Sequence, residues 1–456
     1  MKVLKFGGTS VGTVDSLKNV KKIVDALDEP AVVVVSALGG LTDCLIATAR
    51  KAEAGEESFK EDVVKMTERH LHIINSLVPS AIRPDITEIV ISLLTQLERV
   101  YLGVSLINEL SERQLDKIVS FGERMSSVIV AAILQDAVHA DSLSFMKTEK
   151  WFDKNIASRE LTDSLIRETF RLPLQKTVVT GGFISRDKDT DFITNLGRGG
   201  SDYTAALIAA ALNADSLEIW TDVDGFMTAD PRIIPSASVI QKMSFIESME
   251  LCSFGAKVIY PPTIYPVFHK NIPIKILNTH NPSAPGTLIT DNNVDLNTTV
   301  RGVSSIKKTA IVNVTGALAE NVARLNSRSY NAMARNGISI FVVAQPDDDR
   351  CFSIAMDGND VEKALSILKE EFAPELQSGE VAGISDTRNL AIVAVVRENI
   401  KQIKGLGPRL LNTLLRDGVE VKAVSDGPSE TTLSFIISDE DNDKALRLIH
   451  NACFSL

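Results

Sequence analysis

Residues 2–6 alternate between polar and apolar as a half-buried strand does, and they run into Gly7-Gly8-Thr9-Ser10. Val14, Leu17, Val20, Val24 and Leu27 follow at helical spacing. Residues 31–37 hold four consecutive valines without alternation, which suits a strand covered on both faces in a parallel sheet. That run ends at Leu38-Gly39-Gly40-Leu41-Thr42-Asp43, a second glycine turn ahead of a helix. Strand, helix, strand, helix in this order predicts a layered α/β domain. Ligands of such sheets gather at the C-terminal strand ends, where both glycine turns fall.

Residues 55–137 read as mostly helical, with Ser111 as an N-cap. Gly122 inside one of these helices costs about 1 kcal/mol against alanine, so it predicts a close approach there, with Glu123 beside it as a ligand contact. Residues 177–184 form another buried-strand pattern, 187–190 a turn, and 191–196 a returning strand. A helix is expected over 203–212, then a strand over 217–221 that delivers the acidic turn Thr221-Asp222-Val223-Asp224-Gly225-Phe226-Met227. Ser244 and Glu247 fit a capping box, opening a helix that runs to Lys257 before Pro261-Pro262. Residues 272–277 close the domain, whose boundary is expected near 295.

The remaining third overlays itself when shifted by 81 residues. Gly302-Val303-Ser304 matches Gly383-Ile384-Ser385, Ala310-Ile311-Val312 matches Ala391-Ile392-Val393, and Lys363-Ala364-Leu365 matches Lys444-Ala445-Leu446. Gly337 and its equivalent Gly418 stand where a helix ends, as a C′ glycine does. Each copy reads strand, strand, helix, strand, strand, helix.

Composition narrows the function classes. With 456 residues, two or three domains are expected. A net charge of -11 argues against non-specific nucleic-acid binding. No apolar run reads as long enough to span a membrane, and the N-terminus lacks a signal-peptide pattern, so a cytoplasmic protein is expected. Cys44, Cys252, Cys351 and Cys453 are scattered, which predicts reduced thiols and no zinc site. His70 and His72 fall on different faces of a helix and read as a solvated pair, so no metal ligands are assigned.

The chemistry concentrates in Asn195-Leu196-Gly197-Arg198-Gly199-Gly200-Ser201-Asp202. Glycine lets backbone N–H groups approach an anion, and the following helix adds its positive N-terminus. Arg198 can fork onto a carboxylate or phosphate, and Asp202 implies a paired cation or a reacting group. Lys5, one residue before Phe6-Gly7-Gly8, points toward what the first turn holds. Neither the P-loop nor the dinucleotide-binding glycine spacing is present, so nucleotide binding must use another scheme.

Lys5-Phe6-Gly7-Gly8-Thr9-Ser10-Val11, residues 197–202, Trp220-Thr221-Asp222-Val223-Asp224-Gly225 and Phe254-Gly255-Ala256-Lys257-Val258 resemble the motif set of the aspartate kinases, in the amino-acid kinase superfamily. The tandem repeat resembles the paired ACT modules that regulate them. The kinase part looks closest to enzymes fused to homoserine dehydrogenase, a domain that several hundred further residues would have to supply. The resemblance implies an α/β catalytic domain over 1–294 and a regulatory region over 295–456 with two α+β ferredoxin-like modules. It implies transfer of phosphate from ATP, with Mg²⁺, to the side-chain carboxylate of L-aspartate, the first step toward lysine, threonine and methionine. Lys5 and Asp202 would be catalytic. Gly7, Gly8, Thr9, Ser10, Gly199 and Gly200 would hold phosphate. Thr42, Glu123, Arg198 and Ser201 would hold aspartate, with Arg198 on the α-carboxylate and Glu123 on the ammonium. Thr221, Asp222, Met227, Arg232 and Lys257 would line the nucleotide, although the family often has tyrosine where Met227 stands.

An ACT module needs strand-helix-strand-strand-helix-strand, and the second copy lacks a last strand. The segment 299–305 matches the missing one, so the first module, about 307–386, is expected to nest within a second built from 299–306 and 387–456. By the same resemblance the pair binds an end-product amino acid and mediates a homodimer. The expected rim is Val343-Ala344-Gln345 and Val424-Ser425-Asp426, with threonine favoured over lysine and Gln345 as its ligand. The alternatives are an inactive amino-acid sensor and a kinase for another amino acid.

Overall fold

The computed structural model describes residues 1–151, 154–291, 300–317, 322–344, 350–426 and 430–454. Two compact units emerge. The first comprises Met1–Phe226, Gln241–Phe245 and Lys257–Val294; the second comprises Met227–Ile240, Ile246–Ala256 and Asp295–Leu456. The excursions 227–240 and 246–256 therefore belong with the C-terminal third, unlike the single boundary expected from sequence.

In the first unit, β1 (Lys2–Phe6) passes through a one-turn helix α1 (Gly8–Val11) and α2 (Val14–Asp25) to β2 (Val32–Val35). The helical layer follows: α3 (Leu41–Glu53), α4 (Phe59–Leu77), α5 (Arg83–Ile107) and α6 (Glu112–Ile133). Ser111 caps α6, accepting from Gln114 N while the Gln114 side chain bonds back to the Ser111 N–H. Then come β3 (Ala137–Ala140), β4 (Lys147–Trp151), β5 (Lys154–Ala157), α7 (Arg159–Thr169), β6 (Thr177–Gly181), β7 (Ile184–Asp187), β8 (Ile193–Asn195), α8 (Gly200–Leu212) and β9 (Ser216–Thr221). The short β10 (Lys242–Met243), α10 (Ile264–Phe268), β11 (Ile274–Asn278) and β12 (Thr287–Ile289) complete the series, while α9 (Phe245–Ser253) belongs to the second unit in all but its first residue.

The main sheet has the order β10-β12-β11-β9-β1-β2-β6-β3, and the strands from β11 to β3 are mutually parallel. All four valines of β2 are buried, as an unalternating run requires. β1 lies at the centre, so Lys5 is not an edge lysine.

Several expectations are corrected here. Residues 177–184 are two strands in two sheets. β6 ends at Gly181, the chain turns through Phe183 at φ 66°, and β7 enters the small sheet β5-β4-β7-β8. Helix α8 begins at Gly200, so Ser201 and Asp202 belong to its first turn. α9 stops at Ser253; Gly255 follows at φ 111°, where a Cβ would overlap the Ser305 carbonyl. His70 is fully buried with Nδ1 2.7 Å from the Met66 carbonyl, and burial lowers its pKa to about 4; only His72 is exposed. By length and composition α5 is apolar enough to cross a membrane. Charged residues interrupt it in the sequence, and Val90, Leu94, Leu97, Tyr101 and Val104 join the core shared with α3, α4 and α6.

In the second unit the sequence repeat becomes a repeat of structure. The elements are β13 (Gly302–Gly316), α11 (Val322–Arg335), β14 (Ile340–Ala344), β15 (Cys351–Asp357), α12 (Val361–Glu371), α13 (Ala373–Ser378), β16 (Val381–Val396), α14 (Leu406–Arg416), β17 (Val421–Asp426), β18 (Thr432–Ser438) and α15 (Asn442–Phe454). They form one antiparallel sheet, β14-β15-β13-β16-β18-β17. The paired strands read at the start of each copy are one long strand each, turned at the equivalent residues Lys308 and Asn389, both at φ 56°.

The first part of β13 pairs with 392–396 of β16, which pair in turn with β18. Its second part pairs with β15 and with 381–387 of β16. Each long strand thus serves both halves of the sheet. Thr299 and Gln345 lie outside the described residues.

Candidate active site

The C-terminal ends of β1, β2 and β6 and the start of α8 surround a cleft of about 370 Å³. It is lined by Lys5, Gly8, Thr42, Glu123, Arg198 and residues 199–202 among those singled out from sequence. Four different segments supply them, which is what a parallel sheet with ligands at its strand ends makes possible.

Lys5 and Asp202 form the centre. Lys5 Nζ stands 2.6 Å from Asp202 Oδ1, with both side chains nearly buried. Asp202 also benefits from the positive end of α8. Glu123 is buried, with Oε1 accepting from the Ala37 N–H at 3.0 Å. Burial raises its pKa to about 8, against the opposing pull of that N–H and of Lys5. Gly122 brings α6 so close to β2 that a Cβ would meet the Ala37 methyl at 2.7 Å. This contact is the close approach its glycine predicted, and it is what places Glu123 over the strand end. Arg198 is exposed at the rim on a loop held by Gly197 and Gly199, both at positive φ. Gly199 lies against the Tyr260 ring, where a Cβ would overlap it.

Other sequence candidates lie elsewhere. The Gly7 N–H donates to the Trp220 carbonyl at 3.1 Å, and Gly7 is buried beside the Lys5 ammonium, which a Cβ there would meet at 3.4 Å. Ser10 corrects the reading of the first turn as wholly phosphate-facing. Its N–H donates to the Gly7 carbonyl and its hydroxyl lies 2.7 Å from Thr279 Oγ1, because α1 coils these groups inward. Thr9 is exposed. Thr221 and Asp222 stand at the end of β9, next to β1, and Lys257 is exposed in the same unit. Met227 and Arg232 fall in the second unit, where Arg232 forks onto Asp230 and is 85% exposed.

Sequence reasoning missed three participants. Phe183 lines the cleft in a left-handed conformation that a bulky residue rarely adopts. The Gly181-Gly182 pair before it was the available signal. Asp116 accepts from Asn195 Nδ2, while Asn195 Oδ1 accepts from the Gly197 N–H at 2.8 Å, tying the glycine loop to α6. Asp43, at the start of α3, completes the wall beside Thr42.

A parallel α/β sheet whose strand ends hold a lysine–carboxylate pair, glycine turns and a rim arginine has the makings of a phosphoryl-transfer site. The chain belongs to the amino acid kinase family, whose model matches residues 1–278. An ACT domain model matches residues 393–453. The chain is similar to the bifunctional aspartokinase/homoserine dehydrogenase of Haemophilus influenzae, 31% identical over all of this chain and 57% of that protein. It spans about half the length of the bifunctional relatives it matches. Among solved structures it is similar to E. coli aspartokinase III. The R-state complex with aspartate and ADP matches at a TM-score of 0.85 and 28% identity over the whole of both chains. The T-state complex with lysine and aspartate matches at 0.76 and 27%, over 100% of this chain and 99% of that one.

Proposed function

We propose that this chain is an aspartate kinase that passes the γ-phosphoryl group of ATP to the side-chain carboxylate of L-aspartate, giving 4-phospho-L-aspartate and ADP. The observation that carries the reading is the juxtaposition of the Lys5–Asp202 pair, buried Glu123 and rim Arg198 in one glycine-lined cleft. The nucleophile is a carboxylate already ionised at neutral pH, so no general base is needed. Catalysis then rests on positioning and on neutralising charge. Lys5, held by Asp202, faces the transferred phosphoryl group, with Gly8, Gly199 and Gly200 giving it room. Arg198 forks onto the α-carboxylate of aspartate, Glu123 accepts from its ammonium, and Thr42 and Ser201 complete that subsite. Thr221, Asp222 and Lys257 are assigned to the nucleotide.

No group of three or more His, Cys, Asp or Glu side chains among the described residues can hold a metal alone. Mg²⁺ would therefore enter as an ion carried on the nucleotide phosphates, where it neutralises charge. The four cysteines are free thiols, which supports work in the reducing cytoplasm.

The first unit is proposed as catalytic, apart from its two excursions, and the second as regulatory. Val343 and Val424, one repeat apart on the edge strands β14 and β17, are 39% and 46% exposed, which supports effector binding and homodimerisation through this unit. The resemblance favours threonine as effector and the T-state relative contains lysine. Aspartate-dependent ADP release, measured over a panel of amino acids, tests the reaction. Adding threonine or lysine at sub-saturating aspartate distinguishes the effectors. Release with glutamate but not aspartate would overturn the substrate, and indifference to both effectors would overturn the regulation.

A further inference from the structure

We propose that Arg69, on α4 and outside every motif of the cleft, is a positioning residue that locks the two glycine turns together and thereby sets where the phosphoryl group meets its acceptor. The inference rests on the kinase reading for its kinetic consequence and on geometry alone for the clamp.

The two turns follow neighbouring parallel strands, β1 and β2. They touch backbone to backbone. A Cβ on Gly39 would lie 2.9 Å from the Gly8 carbonyl oxygen, and one on Gly12 would lie 3.1 Å from that same oxygen and 3.3 Å from Gly39 N. Such a contact has no interlocking side chains. No backbone hydrogen bond among the described residues joins 8–12 to 38–40. The link comes from Arg69, whose Nη2 donates to the Gly12 carbonyl at 2.9 Å and to the Gly39 carbonyl at 2.8 Å. One nitrogen with two hydrogens therefore fixes the end of α1 to the loop that precedes α3.

The same contact orients a donor. A trans peptide carries its C=O and N–H in opposite directions. With the Gly39 carbonyl turned to Arg69, the Gly40 N–H of that peptide points away from Arg69, on a turn whose Gly39 and Gly40 line the cleft. Gly40 holds this arrangement at φ 75° as the N-cap of α3. Thr42, two residues on, is carried by the same turn. Lys5 and Gly8 belong to one side of the clamp and Thr42 to the other, so loosening it moves phosphate and acceptor groups relative to each other. A misplacement of about 1 Å is enough to slow a positioned reaction by roughly a hundredfold.

The test compares wild type with Arg69→Met, which keeps length and loses donors, and Arg69→Lys, which keeps a charged nitrogen. Amide hydrogen exchange of the ligand-free full chain, read over 7–13 and 36–42, reports the clamp without any assumption about activity. Arg69→Met is expected to exchange faster in both segments, with Arg69→Lys intermediate. In the kinase assay kcat of Arg69→Met falls roughly 10- to 100-fold; that of Arg69→Ala falls likewise, and millimolar guanidinium entering the vacated space restores part of it, which a general loss of stability does not do. Unchanged exchange in both segments, or kcat within about twofold of wild type with no guanidinium effect, would overturn the proposal. Should Arg69→Met fail to fold, Arg69→Leu, which also lacks donors, is read in its place with the same outcomes. An inactive wild type would count against the kinase reading, while the exchange data still decide the clamp.

Discussion

Lys5 Nζ lies 2.6 Å from Asp202 Oδ1, so the first strand of the chain is joined to the first turn of α8 by a nearly buried ion pair. Each partner is held by the other, and removing either leaves an uncompensated charge at the reaction centre. Lys5→Ala and Asp202→Ala are each expected to lower kcat by about a hundredfold or more, on the order of 3 kcal/mol in the barrier. The double variant is expected to lie close to either single one, since the two act as a unit. Steady-state kinetics beside circular-dichroism spectra check this; near wild-type turnover in a folded single variant would count against it.

Glu123 predicts a pH dependence for aspartate binding. Its folded pKa is raised to about 8 by burial. A raised acid holds its proton more tightly when folded, so stability falls as pH climbs from the unfolded value near 4.5 toward 8. A substrate ammonium favours the ionised form. Binding at pH 7 should therefore release a proton, and the aspartate KM should fall as pH rises through 8. Calorimetry in buffers of different ionisation enthalpy detects the release; Glu123→Gln should abolish it.

Arg198 sits exposed at the rim, with no carboxylate partner among the described residues, and is ready to fork onto an incoming one. Arg198→Lys replaces a planar fork by a point charge. The expected outcome is an aspartate KM raised at least about tenfold with the ATP KM little changed. Equal effects on both substrates would remove Arg198 from the acceptor subsite.

His70 carries a separate stability prediction. Burial depresses its folded pKa from 6.5 to about 4. Its contribution is therefore intact above pH 6.5 and is lost as pH falls toward 4, at a cost reaching about 3 kcal/mol. Urea unfolding at pH 7 and pH 4.5 should show a smaller acid-induced loss for His70→Leu than for wild type.

In the second unit, Arg301 Nε donates to Glu247 Oε2 at 3.1 Å, and Glu247 Oε1 accepts from the Glu398 N–H at 3.0 Å. Both charged side chains are buried. Arg301→Met should destabilise this unit by about 3–5 kcal/mol by removing the cation beside a buried carboxylate, and Arg301→Met with Glu247→Leu should recover much of that loss. Denaturant midpoints of the two variants beside wild type decide it.

Where local pattern and tertiary role agree, the sequence was legible. The valines of β2, the Ser111 N-cap and the 81-residue repeat all announce themselves within a few residues or by self-comparison. That Lys5, Glu123 and Asp202 line one cleft follows from the glycines near them, which mark close approach. Long-range packing was not. The run through Phe183 looks like one strand until Gly182 is pressed against Ser201 and the backbone changes sheet. Ser10 reads as a phosphate ligand until Thr279 arrives from the far end of the unit. Arg69 carries no motif at all, since both its acceptors are main-chain carbonyls. His70 was misread because helical spacing gives a face, not what covers it.

The most direct measurement is trapping of the product. Hydroxylamine converts an acyl phosphate to a hydroxamate, so wild type incubated with ATP, Mg²⁺ and L-aspartate should yield aspartyl β-hydroxamate in one-to-one ratio with ADP. Lys5→Ala should yield almost none. ADP without hydroxamate, or hydroxamate formed from another amino acid in preference to aspartate, would contradict the assignment.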